Sequence, residues 1–311
     1  AVGTCALFSN VNDNDNTGIG FKVLLGSSGQ SNTAIGSCAL VANSTASSNT
    51  AVGFCALAAN TTGGANTAVG RSALDTNTTG YGNVAVGCDA LENNTTGEQN
   101  VAIGENALNI NTTAGKNVAI GVESLRNNTT SENNAAVGAC SLNANTTGGC
   151  NSSVGFKAGF NVTTGDNNVF VGNLAGTDAV RDVTTGDNNI VIGNNSSATA
   201  HIKIDWTVTS DERDKMNFEP VPHGLDFVNQ MKPVSFVFKK SREDDTPHGF
   251  KKYGFKAQDI LALEGDNNVI ISNDDEENLK VTSSHLIPVL VNAIKELKKE
   301  IDLLKEDNKK K

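Results

Sequence analysis

The sequence is dominated by a short repeat whose copies are spaced 17 residues apart. Copies of the segment NTAVG, or close variants of it, begin at Asn32, Asn49, Asn66, Asn83, Asn100, Asn117, Asn134, Asn151 and Asn168. A further copy begins at Asn16, and the series ends at Asn189 after a longer step of 21 residues. Self-similarity at one period indicates a repeat architecture in which each unit is one small structural module.

The consensus NTAVGxxALxxNTTGxx describes a short β-prone stretch, a glycine, an Ala-Leu pair and a polar turn. One unit is therefore predicted to form one coil, or one short hairpin, of a parallel β-solenoid. Glycines such as Gly36 and Gly104 suit a bend with positive φ or a close backbone approach. The pattern is similar to the AIG-type repeats in the heads of trimeric bacterial adhesins and in phage and giant-virus fibre proteins.

The size of the unit limits the core that it can build. One Val and one Leu cannot bury a core alone, so neighbouring units must stack on one another. This thin core further predicts that three chains share an axis, as a homotrimeric β shaft.

Asparagines recur at a second fixed position of the repeat. Each is followed by Ser-Thr or Thr-Thr and is formally an N-glycosylation sequon: Asn43, Asn60, Asn77, Asn94, Asn111, Asn128 and Asn145. Sugars on all seven would coat one face of the shaft. The alternative is that these side chains form turn hydrogen bonds and stacked amide ladders, which need no sugar.

Four of the six cysteines, Cys5, Cys38, Cys55 and Cys140, share one position of the repeat. That position predicts a small buried apolar slot holding free thiols, with disulfides as the alternative. The sequence has no CxxC motif and no Cys/His pattern with metal-ligand spacing, so neither a metal nor a cofactor is expected.

Charge divides the chain near residue 210. Positions 1–209 hold 21 charged residues and positions 210–311 hold 37, in a chain of net charge −10. The acidic balance without a basic stripe argues against a nucleic-acid partner. No apolar run approaches the roughly 20 residues needed to span a bilayer. Because position 1 falls inside a repeat, an upstream segment that anchors the chain to a particle or filament is expected.

Several motifs follow the repeats in order: SDERDK at 210–215, GLDFVNQMKPVSF at 224–236, GFKAQDI at 254–260 and a terminal heptad pattern. Together they resemble the intramolecular chaperone domain of endosialidases and tail spikes, the S74 peptidase family. The resemblance implies that Ser210 and Lys215 form a catalytic dyad that cleaves the Thr209–Ser210 bond. Asp214 and Met216 depart from the family pattern.

A serine–lysine dyad is chemically sound, because a serine hydroxyl needs a base and a desolvated lysine can serve as one. Residues five apart lie on different faces of a helix and on opposite faces of a strand. A bend or a neighbouring chain must therefore bring Ser210 and Lys215 together, and a neighbouring chain would make cleavage dependent on assembly. By residue type alone, SDER is also an ordinary helix N-cap.

The last segment carries apolar residues at alternating spacings of three and four, with Lys and Glu between them. They are Ile287, Leu290, Ile294, Leu297, Ile301 and Leu304. This heptad seam predicts a trimerisation helix that sets the register of three repetitive shafts. An amphipathic helix packed on its own domain is the alternative.

These patterns predict a mainly β protein with a 17-residue-repeat shaft at 1–196, a β linker at 197–209, a small α+β chaperone domain at 210–284 and a coiled-coil helix at 285–311. The expected function is a viral tail fibre or spike on the virion surface, with a cell-surface glycan or receptor as its partner and single-turnover autoproteolysis as its chemistry. The alternative is a cell-surface or secreted filament or adhesin that retains its chaperone domain. A sugar-processing enzyme is disfavoured, because the repeats hold no well-placed carboxylate pair.

Overall fold

A computed structural model describes residues 1–9, 14–178, 181–194, 196–197, 210–239, 242, 244–265, 268–273 and 279–309. The chain divides into two compact units, Ala1–Ser196 and Ser197–Lys311. Most of the predicted linker at 197–209 lies outside the described residues.

The first unit is a parallel β-solenoid with one coil per repeat. Its three-residue strands are β1 (Thr17–Ile19), β2 (Thr33–Ile35), β3 (Thr50–Val52), β4 (Thr67–Val69), β5 (Val84–Val86), β6 (Val101–Ile103), β7 (Val118–Ile120), β8 (Ala135–Val137), β9 (Ser152–Val154), β10 (Val169–Val171) and β13 (Ile190–Ile192). They form one eleven-stranded sheet in chain order, and equivalent residues of successive repeats pair directly. The longer last step contains a small hairpin, β11 (Thr177–Asp178) with β12 (Arg181–Asp182). The predicted mainly β solenoid is confirmed, with one coil rather than one hairpin per unit.

The core of the shaft differs from the predicted one. A typical coil buries an alanine from the strand and an Ala-Leu pair, as in Ala85, Ala90 and Leu91, which are all fully buried. The Val or Ile at the fourth repeat position points outwards instead, and Ile103 is 38% exposed. A single chain thus closes its own narrow core. The small size of the core is therefore no longer an argument for three chains.

The glycine that ends most strands has the two properties expected from the sequence. Gly104 has a φ of +136°, and a Cβ placed on it would lie 2.5 Å from the carbonyl oxygen of Gly121 in the next coil. Coils stack at the spacing of neighbouring β-strands, about 4.8 Å, which leaves no room there for a side chain.

The cysteine position is not the buried slot that was predicted. Cys38 and Cys55 are half-exposed and adopt left-handed backbone conformations, with φ of 61° and 56°. All six cysteines are free thiols in the structure. Partial burial raises the pKa of the Cys55 thiol, with a smaller contribution from the Asp75 carboxylate.

The second unit is a small α+β domain. Its elements are α1 (Leu225–Gln230), β14 (Val234–Lys239), β15 (Pro247–Gly254), α2 (Ala257–Glu264), β16 (Ile271–Ser272), β17 (Lys280–Val281) and α3 (Leu286–Lys309). β14 and β15 form an antiparallel hairpin. The domain core joins α1, α2 and the start of α3 through Phe227, Ile260, Ile271 and Val289.

Candidate functional site

The predicted dyad residues meet within one chain. Lys215 Nζ donates a hydrogen bond of 2.6 Å to Ser210 Oγ and lies 3.4 Å from the Ser210 carbonyl oxygen. The bend that the spacing required is therefore built into the local backbone, and no neighbouring chain is needed for the contact.

A single 3-10 turn at Glu212–Asp214 makes this bend. Asp211 caps the turn, because its side chain accepts a 2.9 Å bond from the backbone N–H of Arg213. The Arg213 guanidinium also binds both carboxylate oxygens of Asp211, at 3.0 and 2.6 Å, and holds the pKa of that carboxyl below its usual range. Lys215 then returns to extended backbone, which directs its side chain to Ser210.

Residues Asp211 and Arg213 hold the geometry of the turn between Ser210 and Lys215. Sequence reasoning recognised SDER as an N-cap pattern but offered it only as an alternative to a dyad. The structure shows the cap together with a serine–lysine hydrogen bond, since the cap forms the turn and the turn brings Lys215 to Ser210. Thr209 lies outside the described residues.

The serine and the lysine are both exposed to solvent in the single chain. A lysine accepts a proton near neutral pH only when burial or nearby cations lower its pKa. Met216 and Phe218, which directly follow the site, are 81% and 66% exposed. In the single chain, the contact between Ser210 and Lys215 is therefore formed, while the apolar side chains next to it remain exposed.

The residues of the predicted heptad seam lie along the uncovered side of α3. Their exposed fractions are 61% for Ile287, 43% for Leu290, 66% for Ile294, 45% for Leu297, 41% for Ile301 and 63% for Leu304. From residue 294 to residue 309 every position of the helix is exposed. A helical end of this length is marginal in water without a packing partner.

A different face of α3 packs on the chain's own domain. Leu286, Val289 and Ala293 are buried there. Next to them Asn292 donates to the Val221 carbonyl oxygen at 3.1 Å, and Glu296 accepts a 2.6 Å bond from the backbone N–H of Leu225. The helix thus uses one face for its own domain and leaves the heptad seam free.

The sequon asparagines form the stacked amide ladder that was the alternative to glycosylation. All seven are buried in the shaft, with no more than 2% of their surface exposed. Asn94 is representative, because its Nδ2 donates to Asn77 Oδ1 at 2.9 Å and to the Gly97 carbonyl oxygen at 3.0 Å. A sugar on Nδ2 would replace a donated hydrogen and would have to occupy the interior of the shaft. This geometry disfavours glycosylation of the folded coils.

A second ladder runs beside the first, formed by the asparagine that opens each repeat. Asn100 is representative, since its backbone N–H donates to Asn83 Oδ1 and its Nδ2 donates to the Ala114 carbonyl oxygen. That oxygen also accepts from Asn111 Nδ2 of the first ladder. One carbonyl per coil therefore joins the two ladders and fixes the polar turn between them.

Comparison with known proteins places the second unit. Residues 210–269 match the Peptidase S74 family, described as the chaperone of endosialidase. No curated protein and no solved structure matches the chain at a significant level. The S74 region begins at Ser210 and contains the hairpin and α2, whereas α3 lies beyond it. A β-solenoid followed by an S74 region is the organisation of a fibre- or spike-like protein with a C-terminal chaperone domain.

No helix in the described part of the chain has the length and apolar character needed to cross a membrane. Within the same residues, no three His, Cys, Asp or Glu side chains are grouped so that they could hold a metal ion.

Proposed function

We propose that this chain is one subunit of a homotrimeric fibre whose S74 region aligns three shafts and then separates from them by cutting the Thr209–Ser210 bond. The observation that carries the proposal is the 2.6 Å contact between Ser210 Oγ and Lys215 Nζ at the first residue of the S74 match. The fibre belongs on a virion surface or outside a cell, held through an anchor and directed at a surface glycan or receptor.

The reaction is a single acyl transfer followed by hydrolysis. Neutral Lys215 takes the hydroxyl proton of Ser210, and Oγ attacks the carbonyl carbon of Thr209. The peptide bond breaks as the Ser210 nitrogen leaves with a proton, and water then hydrolyses the ester. The products are a carboxylate at Thr209 and a free amine at Ser210.

Assembly supplies what the single chain lacks. A solvated ammonium donates to the hydroxyl and cannot act as a base, so the contact as formed is a resting arrangement. Neighbouring chains that cover Met216 and Phe218 would also remove water from Lys215, and desolvation favours the neutral form of an amine. Cleavage then follows correct assembly, and loss of the aligning domain leaves a fibre that unfolds slowly.

Trimerisation is supported by the free side of α3. Its six heptad residues are exposed, although the spacing of three and four is that of a coiled-coil seam. The shaft repeats every 17 residues, so three copies could pair in registers that differ by whole coils. The heptad seam of α3, which follows the shaft in the chain, selects one of these registers.

The test of self-cleavage compares the full chain with Ser210→Ala and Lys215→Met. The wild type should yield a C-terminal fragment that begins at Ser210, as shown by denaturing gels and N-terminal sequencing. Ser210→Ala should stay intact, and Lys215→Met should slow cleavage at least about 100-fold, the usual size of general-base catalysis. Ser284→Ala, which removes another exposed serine of the same unit, should cleave normally. Cleavage of Ser210→Ala at the same bond would refute the dyad, and an intact wild-type trimer would leave only the chaperone role.

The dependence of cleavage on assembly has its own test. Chains diluted until light scattering shows monomers should remain uncut, and cutting should begin when the concentration is raised and trimers form. The expected cause is burial of Lys215 by neighbouring chains. Cleavage of the monomer at an undiminished rate would contradict this coupling while leaving the dyad itself intact.

A further inference from the structure

The outer face of the eleven-stranded sheet carries an unbroken column of aliphatic side chains, because the third residue of every strand is Val or Ile. The first and third residues of each strand point outwards, because the middle residue is buried. Pairing in register stacks these residues into two columns that run the length of the shaft, about 50 Å for eleven strands at about 4.8 Å each. We call this surface the strand face.

No charged residue occurs on the strand face in any coil. All eleven NTAVG-type segments between 16 and 193 are free of Asp, Glu, Lys and Arg. The charges of the shaft occupy other positions of the repeat, as in Glu98, Glu105 and Arg126. Depletion of charge within an exposed apolar patch is typical of the centre of a protein interface.

The strand face varies along the shaft: both outward positions are aliphatic in the central strands and again in β10 and β13, where Ile190 and Ile192 are 73% and 65% exposed. In β5, β6 and β7 both outward positions are aliphatic, as in Val101 with Ile103 and Val118 with Ile120. In the earlier strands β2, β3 and β4 the first outward position is threonine. The face therefore has an aliphatic centre with more polar coils before it.

We infer that the strand face is the surface through which the shafts of the proposed trimer pack on one another. A second copy of this chain has the same rise per coil, so every coil of one shaft can contact a coil of the other. A glycan or other polar ligand would need convergent polar groups, which the aliphatic centre does not offer. The inference rests on the proposed trimer and adds to it the face that the shaft uses.

The test places a photoreactive side chain on the full-length protein at Ile103→benzoylphenylalanine, with Val122→benzoylphenylalanine as the matched control. Val122 is also an exposed aliphatic residue, 49% exposed, but lies outside the strand face. Irradiation should link position 103 to the coils of another copy, as mapped by mass spectrometry, and position 122 should give no such link. A trimeric wild type without links from position 103 would overturn the inference and leave the trimer standing. A monomeric wild type would remove both, and links only to other molecules would overturn the strand-face assignment.

A charge variant provides an independent readout. Ile103→Lys with Ile120→Glu places opposite charges in register, so the single coil gains no repulsion. In the trimer these charges would be buried, and the fraction of trimer resistant to detergent should fall at least about tenfold. Ile110→Lys with Val122→Glu changes two aliphatic residues of similar exposure elsewhere and should leave that fraction unchanged. Circular dichroism must show the same β content in both variants, and equal trimer resistance in both would overturn the inference.

Discussion

Replacing Asn94 by alanine is expected to lower the free energy of opening of the central coils by about 3–5 kcal/mol, the combined effect of unsatisfied buried polar atoms and a small void. The change leaves Asn77 Oδ1 without its donor and one hydrogen of Asn111 Nδ2 without its acceptor, both inside the shaft. An unsatisfied buried polar atom costs about 1–3 kcal/mol, and the missing amide leaves the void. The Gly97 carbonyl oxygen keeps one partner, since Asn83 Nδ2 still binds it.

The neighbouring residue provides the control for this prediction. Asn93 is exposed and donates to the Asn109 carbonyl oxygen at 3.0 Å, so Asn93→Ala should cost about 0.5–1.5 kcal/mol. Hydrogen exchange measured by mass spectrometry reads the opening free energy coil by coil, which suits a solenoid whose units interact only with their neighbours. Equal protection in the two variants would show that the amide ladder adds little to stability.

The ladder also explains what the sequence could predict about the shaft. An asparagine that recurs every 17 residues indicates stacking, because equivalent positions of successive coils lie directly above one another. The ladder also ends where the recurring asparagine is missing from the sequence. Val162 stands where the next asparagine would be, and Asn145 Oδ1 is a buried atom without a hydrogen-bond partner among the described residues.

The inside and the outside of the strands could not be assigned from the sequence. A three-residue strand alternates only once, so either the alanine or the flanking aliphatic residues could face the core. Size favours Val inside, but the buried Leu91 and its stacked equivalents leave room only for a methyl group from Ala85. Competition for space between different parts of one coil is not visible in a local pattern.

The backbone conformation of the buried leucines could not be predicted from the sequence either. Leu91 has a φ of +50°, and Leu108 in the next coil has a φ of +51°. The left-handed region costs an L-residue about 1–2 kcal/mol, so no propensity argument would place leucine there. Burial of the whole side chain in every coil offsets that cost, which is a tertiary effect.

For the candidate site, more could be predicted from the sequence. The residues Ser210 and Lys215 were identified through a family resemblance, and the need for a bend followed from their spacing. The device that makes the bend, the Asp211 cap with its Arg213 partner, was already present in the letters SDER. What the spacing could not predict was the solvent exposure of the pair. The proposed dependence of cleavage on assembly therefore rests on desolvation and not on the geometry of the contact.

Replacing Gly104 by alanine is expected to destabilise the shaft by about 4–5 kcal/mol or more, among the largest effects of a point mutation. The new Cβ would lie 2.5 Å from the carbonyl oxygen and 2.6 Å from the carbonyl carbon of Gly121. Both are backbone atoms, so relief requires that two coils move apart and lengthen the hydrogen bonds between them. The φ of +136° adds conformational strain, since it lies outside the regions open to alanine.

Gly82→Ala separates this steric effect from the general cost of replacing a glycine with positive φ. Gly82 has a φ of +67°, and its nearest neighbour to a new Cβ is Gln99 Cγ at 3.6 Å. The equivalent positions already hold Ala65 and Lys116, with φ of 57° and 60°. A change within about 1 kcal/mol is therefore expected, because the strain is partly offset by a less flexible unfolded chain. The midpoint of denaturant unfolding should then be far lower for Gly104→Ala than for Gly82→Ala. Similar midpoints would mean that the glycine column does not hold the coils at strand spacing.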